Sequence, residues 1–194
     1  MNYEDILKTN ILPELEAGRP DFDKPHTIAV VEHIKGILKN TPTLKLNKDV
    51  LIIAAYAHDW GYAGLFENGK FPSLDDVNNA KEAHMVLGAE KLSKLLNNRV
   101  FDFLTREEKD RAVYLVMVHD QLASLKDQDE IILMEADTLG GLDVEKAKPT
   151  FDKDSNARYM EKVRVTRLPM FITDYGKQMF EKLYQSRVDY YNNK

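Results

Sequence analysis

The chain has 194 residues, of which 43% are hydrophobic and 30% charged, and its formal net charge is −5. This length and balance suit one globular domain with a sizeable core, and the acidic charge argues against non-specific nucleic-acid binding. Because the chain has no cysteine, disulfides and thiolate zinc sites are excluded, and any metal site must use nitrogen and oxygen ligands.

The first part of the chain predicts three helices, because apolar residues recur at three- and four-residue spacing between short joints. The first helix covers about residues 3–16 and ends at a Gly-Arg-Pro joint. The second covers about residues 23–39, with Pro25 in its first turn, where a missing N–H costs nothing. Asn47 can cap a third, strongly apolar helix that ends in the dipeptide His58-Asp59.

The rest of the chain predicts further helices and no strand. Residues 62–77 are predicted to form a loop, because they contain Gly, Pro and a run of acids. A capping box at Thr105–Glu108 starts a helix that reaches His119. Other helices are predicted over residues 77–96, 129–139 (broken by Gly140-Gly141), 155–167 and 173–192, the last capped by Thr173. The sequence therefore predicts one all-α domain over residues 1–194, with a core at about 24–140 and C-terminal helices 155–192 packed on it.

Four of the five histidines and two aspartates form an ordered set along these helices. The pair His58-Asp59 follows a strongly apolar run, so a buried helix delivers two polar groups that need a partner such as a cation. Imidazole and carboxylate suit zinc, manganese and iron, and ligands on separate antiparallel helices can converge inside a bundle. The set consists of His26, His58, Asp59, His84, His119 and Asp137.

In order and spacing this set resembles the ligands of the HD-domain family of metal-dependent phosphohydrolases, over about residues 24–140. The run 133–139, which contains Ala136-Asp137, resembles the family's closing motif, and residues 83–90 resemble the His-x-x-x-Gly segment of the branch with two additional histidines. The resemblance implies a helical bundle that holds two divalent ions, iron or manganese being preferred over cobalt, nickel, zinc and magnesium. All six residues of the set would be ligands, with His58 and Asp59 at the catalytic centre and Asp59 bridging the ions.

The function implied by this resemblance is metal-dependent hydrolysis of a phosphate ester or anhydride bond, in which a metal-activated hydroxide attacks phosphorus. The expected partner is a small phosphate, preferably a nucleotide, so the enzyme would be a phosphomonoesterase, a phosphodiesterase or a dinucleoside polyphosphate hydrolase. The Gly-Tyr-Pro motif of the related cyclic-dinucleotide phosphodiesterases is absent, because Gly61-Tyr62 is followed by Ala63. A dinuclear-iron oxygenase of the HD type and a non-catalytic nucleotide-binding module remain as alternatives.

Two basic residues outside the ligand set are candidates for binding substrate phosphate. Lys70 lies in the loop after the His58-Asp59 helix, and loops near a metal often contact substrate. Arg164 belongs to a basic group with Lys162 and Arg167, for which a solvated helix face is the default interpretation. The sequence therefore assigns Lys70 and Arg164 to substrate binding only as candidates.

Two other polar residues lie close to the ligand set. His33 follows His26 by two helical turns, so it is expected in the core or beside a ligand. Asp120 follows His119 directly and is expected to be an exposed acid. Aromatic residues at helical spacing near the C-terminus predict packing against the bundle or a second subunit, which leaves a homodimer open.

No segment of the sequence predicts a membrane partner. The longest apolar stretch, Val50 to Ala57, is far too short to cross a bilayer, and residues 1–12 do not resemble a signal peptide. A cytoplasmic location is the resulting expectation, and neither a membrane nor a nucleic acid is expected as a partner.

Overall fold

The computed structural model describes residues 2–66 and 71–193. Within these ranges the regular structure is helical and no strand is present, which confirms the prediction of an all-α fold. No helix in the described ranges has the length and apolar character needed to cross a bilayer. The α-helices are α1 Tyr3–Leu15, α2 Asp23–Asn40, α3 Lys48–Ala57, α4 Leu74–Asn79, α5 Lys81–Leu95, α6 Arg106–Val118, α7 Gln128–Leu142, α8 Lys153–Lys162 and α9 Asp174–Asn192.

Helix α3 lies at the centre of the bundle. Every residue from Val50 to Ala57 is buried, and α3 contacts α1, α2, α5, α6 and α7. A helix that is apolar on all sides must be surrounded in this way, because no face of it can stand in water. The side chain of Asn47 caps its N-terminus, as predicted. The core helix therefore carries the pair that follows it, His58 and Asp59, into the protein interior.

Helix α7 continues through the two glycines that were predicted to end it. A Cβ on Gly140 would lie 2.6 Å from Cγ2 of Val30, and one on Gly141 would meet the Tyr159 hydroxyl. The two glycines therefore let α7 approach α2 on one side and α8 on the other. The prediction of a break at this position was wrong, because the gain from close packing outweighs the low helix propensity of glycine.

The predicted loop 62–77 and the predicted helix 77–96 have different boundaries in the structure. A short helix, α4, occupies part of the predicted loop, and Ser73 and Asp76 form a capping box at its start. Helix α5 begins separately after Ala80. This division turns the start of α5 towards the bundle interior, where His84 is buried.

The C-terminal helices pack on the core. The predicted helix 155–167 is divided, since α8 is followed by one π-helical turn, Val163–Arg167, and then by a 3₁₀ turn, Leu168–Met170. Thr173 caps α9, as predicted, and α9 contacts α7 and α2. The π-helical turn contacts α7 as well. That residues 1–194 form one domain stays a prediction, which this packing supports.

Candidate metal centre and adjoining cavity

The six side chains of the predicted ligand set meet inside the bundle. His26 and His84 lie in the first turns of α2 and α5, whereas His58 and His119 directly follow the last residues of α3 and α6. Among the described residues, these side chains form two groups, and within each group the ligand atoms all lie within 4.8 Å of one another. One group is His26, His58 and Asp137, and the other is Asp59, His84 and His119.

The carboxylate of Asp59 faces both groups. Its Oδ2 atom lies 3.5 Å from the Nε2 atoms of both His26 and His58. Its Oδ1 atom lies 3.6 Å from Nε2 of His84 and 3.7 Å from Nε2 of His119. A carboxylate with one oxygen directed to each group has the position that a bridging ligand between two ions requires.

The imidazole orientations suit a cation better than an empty polar cluster. Nδ1 of His119 lies 2.8 Å from the carbonyl oxygen three residues earlier, and Nδ1 of His84 lies 3.4 Å from the carbonyl oxygen four residues earlier. Because a carbonyl oxygen only accepts, each Nδ1 carries the proton and each Nε2 presents a lone pair. The two Nε2 atoms are 3.2 Å apart, so these lone pairs oppose each other unless a cation lies between them.

The other group has a similar arrangement. Nδ1 of His58 lies 2.8 Å from the Ala55 carbonyl oxygen, which again leaves Nε2 as the acceptor. Nε2 of His26 lies 3.1 Å from Nε2 of His58 and 3.1 Å from Oδ1 of Asp137. Buried imidazoles and a carboxylate that converge in this way are compatible with the binding of a divalent metal.

The pKa values of most of these groups favour the forms that bind metals. Burial lowers the pKa of His58 and lowers the pKa of His84 to about 3, so both imidazoles are neutral. Burial raises the pKa of Asp59, but His58 and the Arg19 guanidinium outweigh it and hold the value well below its usual range. Burial likewise lowers the pKa of His119, but the neighbouring carboxylates of Asp59 and Asp120 outweigh burial and raise the value. The carboxylate that faces both groups is therefore ionised.

Arg19 lies against the ligand set although no sequence motif pointed to it. Its Nη2 donates to Oδ2 of Asp59 at 2.5 Å, and its Nε donates to Asp23. The guanidinium also lies between two aromatic rings, 4.7 Å from the centroid of Phe22 and 4.4 Å from that of Tyr62. The only sequence signal for Arg19 was its place in the joint before α2, four residues before Asp23.

Arg167 pairs with a carboxylate of the other ligand group, as Arg19 pairs with Asp59. Its Nη1 donates to Oδ2 of Asp137 at 2.7 Å, and its Nη2 pairs with Asp120, which Lys81 contacts at 2.6 Å as well. The solvated position expected for Arg167 and the exposed position expected for Asp120 were therefore wrong. Arg167 is the last residue of the π-helical turn and is buried, as are Met160 and Val163 before it.

The remaining predicted residues have less direct relations to the centre. Lys70 lies outside the described residues. Arg164 is exposed, its guanidinium lies 4.9 Å from the Tyr184 ring centroid, and it does not line the cavity next to the ligand set. His33 is buried and pairs with Asp143 at 3.3 Å, in agreement with its expected place in the core. The assignment of Lys70 and Arg164 to substrate binding stays a prediction.

A cavity of about 90 Å³ adjoins the ligand set, and His26, Asp59 and Asp137 form part of its wall. Arg187 of α9 also reaches this wall. It lies in the apolar stripe that the buried residues of α9 form, where an arginine is unexpected. That interruption of the stripe was the sequence signal for it. The basic side chains that line the cavity are Arg19, Lys81, Lys162, Arg167 and Arg187.

The model of the HD domain matches residues 25–141, which is more than half of the chain and includes all six predicted ligands. No curated protein and no solved structure matches the chain. Arg19 and every cavity residue after Gly141 lie outside the matched range.

Proposed function

The chain belongs to the HD-domain family, whose members are mostly metal-dependent hydrolases, and on this basis we propose that it hydrolyses a small phosphate ester or anhydride. The observation that carries this proposal is the position of the two ligand groups, each of which contributes to the wall of a cavity that is rich in cations. Cationic walls beside a metal centre suit an anionic substrate such as a phosphate.

The proposed cofactor is a pair of divalent ions. His26, His58 and Asp137 would hold one ion, His84 and His119 the other, and Asp59 would contact both. Imidazole and carboxylate donors suit iron and manganese, as well as cobalt, nickel and zinc. When bound, such ions activate water and stabilise the charge that develops on the reacting phosphate oxygens.

Arg19 and Arg167 would orient the phosphate. Each guanidinium bonds a carboxylate of the ligand set. Each would therefore lie beside the oxygens of a phosphate that approached this set. A planar guanidinium can hold a carboxylate and a phosphate oxygen with different N–H groups. Both arginines are buried among neighbouring groups, which keeps their donors in place before substrate arrives.

Aromatic rings form part of the apolar wall of the cavity and make a nucleotide the first substrate class to test. The rings of Phe22 and Tyr62 stack on the ligand imidazoles of His26 and His84, with centroid distances of 5.1 and 4.0 Å. Phe151 and Tyr159 lie on the C-terminal side of the cavity.

The test combines metal content with phosphate release. Protein purified without chelator and under nitrogen should contain close to two ions per chain by elemental analysis. It should then release inorganic phosphate from members of a panel of mononucleotides and simple phosphate monoesters, at equal rates with and without oxygen. Turnover that requires oxygen would identify an iron oxygenase, and tight nucleotide binding without any product would identify a binding module.

A further inference from the structure

Arg187 is a buried cation whose contacts within the described ranges include no carboxylate. Its side chain, on α9, is 1% exposed. Nε donates to Oδ1 of Asn156 at 2.7 Å, Nη1 donates to the Gly141 carbonyl oxygen, and the guanidinium lies 4.7 Å from the Tyr159 ring centroid. Burying a charge without an opposite charge is costly, so this position calls for a partner.

The other cations that line the cavity either pair with a carboxylate or are exposed to water. Arg19, Lys81 and Arg167 each have a carboxylate oxygen within 4 Å. Lys162 forms no ion pair with the described residues, but it is exposed and bonds the Asn78 side chain, so water can solvate it. Burial accordingly lowers the pKa of Arg187, whereas neighbouring acids raise the pKa of Arg19 and Arg167.

The contacts of Arg187 also place it near the metal centre. Gly141, whose carbonyl it bonds, follows Asp137 by four residues on α7, which is one helical turn or about 6 Å. Gly141, Tyr159 and Arg187 line the same cavity as the ligand set. An anion bound at Arg187 would therefore lie in the same cavity as a phosphate at the metal centre.

A purely structural role would use only part of this side chain. The bond to Gly141 satisfies one of the last carbonyl groups of α7 and places a positive charge at the negative end of its dipole. A guanidinium has five N–H groups, however, and the bonds to Asn156 and Gly141 use Nε and Nη1. Its remaining N–H groups are available to a ligand at the cavity wall.

We propose that Arg187 is a specificity-determining residue that binds a second anionic group of the substrate, a carboxylate or a second phosphate. The first phosphate would lie at the metal centre, so this inference rests on the proposed function. Tyr159 and Asn156 position the guanidinium from two sides. The substrate class is then a small phosphate monoester whose further anionic group is close enough to the phosphate for both to lie in this one cavity.

Equilibrium binding tests this inference without requiring turnover. Calorimetry under nitrogen would compare three phosphonates on protein purified with its metals: butylphosphonate, 4-phosphonobutyrate and propane-1,3-bisphosphonate. Their C–P bonds resist hydrolysis, and they differ in having no second anion, a carboxylate or a second phosphonate. At least one dianionic ligand should bind with a Kd about tenfold lower than that of butylphosphonate. Equal affinity for all three would overturn the proposal.

Variants test whether Arg187 causes the preference for a dianionic ligand. In Arg187→Met the ratio of Kd values between butylphosphonate and the preferred ligand should fall to about one. The matched control is Arg158→Met, an exposed arginine of α8 that does not line the cavity, and it should retain the wild-type ratio. A ratio that Arg187→Met leaves unchanged would overturn the proposal.

Arg187→Lys covers the case in which Arg187→Met does not fold. Lysine keeps the charge but cannot reproduce the planar set of bonds, so the preference should decrease several-fold. Full retention of the preference in this variant would contradict the proposal. Failure of the hydrolase function is a separate result, because it would appear as absent phosphate release while the phosphonate comparison still measured the second anion.

Discussion

The region matched by the HD-domain model and the region after it contribute different kinds of side chain to the same cavity. Residues 25–141 supply the six converging imidazoles and carboxylates, on short side chains at helix ends and on α7. The region after Gly141 supplies Tyr159, Lys162, Arg167 and Arg187, long side chains that reach the cavity from packed helices. Under the proposed function, this difference separates a centre that would activate water from a wall that would select the substrate.

Removal of Asp59 should have the largest effect, because its carboxylate faces both ligand groups. Asp59→Ala should lose metal and lower kcat/KM at least about 1,000-fold, since metal activation contributes several kcal/mol. Elemental analysis and phosphate release measure the two effects, with circular dichroism as the check on folding. Asp110→Ala, an exposed acid of α6, is the control. Full metal content in Asp59→Ala would refute the assignment of the centre.

The second prediction compares two arginines of the same short segment. Arg167→Met should lower kcat/KM about 100-fold, because it leaves Asp120 and Asp137 without their guanidinium partner and removes a donor to the phosphate. Arg164→Met should stay within about twofold of the wild type, since surface substitutions of this kind change little. Steady-state kinetics on one phosphate monoester measures both. An equal loss in Arg164→Met would restore the sequence-based assignment of Arg164 to substrate binding.

Metal removal should destabilise the matched region more than the C-terminal wall. Without cations the imidazole lone pairs and the two carboxylates of the centre oppose one another. Dialysis against a chelator should therefore lower the Tm by roughly 5–10 °C, as expected for a ligand held at about 100 times its Kd. Scanning calorimetry before and after the return of manganese would measure it. An unchanged Tm would show that the centre binds no ion in the purified protein.

A smaller effect is expected where the two regions touch, at Gly141. A Cβ there would meet the Tyr159 hydroxyl, so Gly141→Ala should lower the free energy of unfolding by about 1–3 kcal/mol. Tyr159→Phe removes this hydroxyl oxygen, so the double variant should recover most of the lost free energy of unfolding. Urea unfolding of the four proteins measures the coupling. Additive losses would show that the contact between these two side chains does not limit the packing.

The predicted boundaries that failed share one physical cause. Gly140 and Gly141 were predicted to end α7, and Arg167 was predicted to continue a regular helix with a solvated face. For the glycines tertiary packing outweighed local preference, through the contact of α7 with α2 and α8. For Arg167 the ion pairs with Asp120 and Asp137 hold the charged side chain inside the protein. Local sequence signals contain no information on such contacts, because the partners lie far away along the chain.

What the sequence by itself determined was the helical class, the buried core helix and the six residues of the predicted ligand set, which the structure brings together. Apolar spacing specifies helices, and an apolar run that ends in His58-Asp59 must bury two groups that need a cation. Only the tertiary structure decided which arginines reach the cavity, because Arg164 and Arg167 carry the same charge three residues apart, and Arg187 occupies a position that the sequence pattern marks as apolar. A long side chain can point to water or to the interior from nearly the same backbone position, and only the packing of neighbouring helices selects between them.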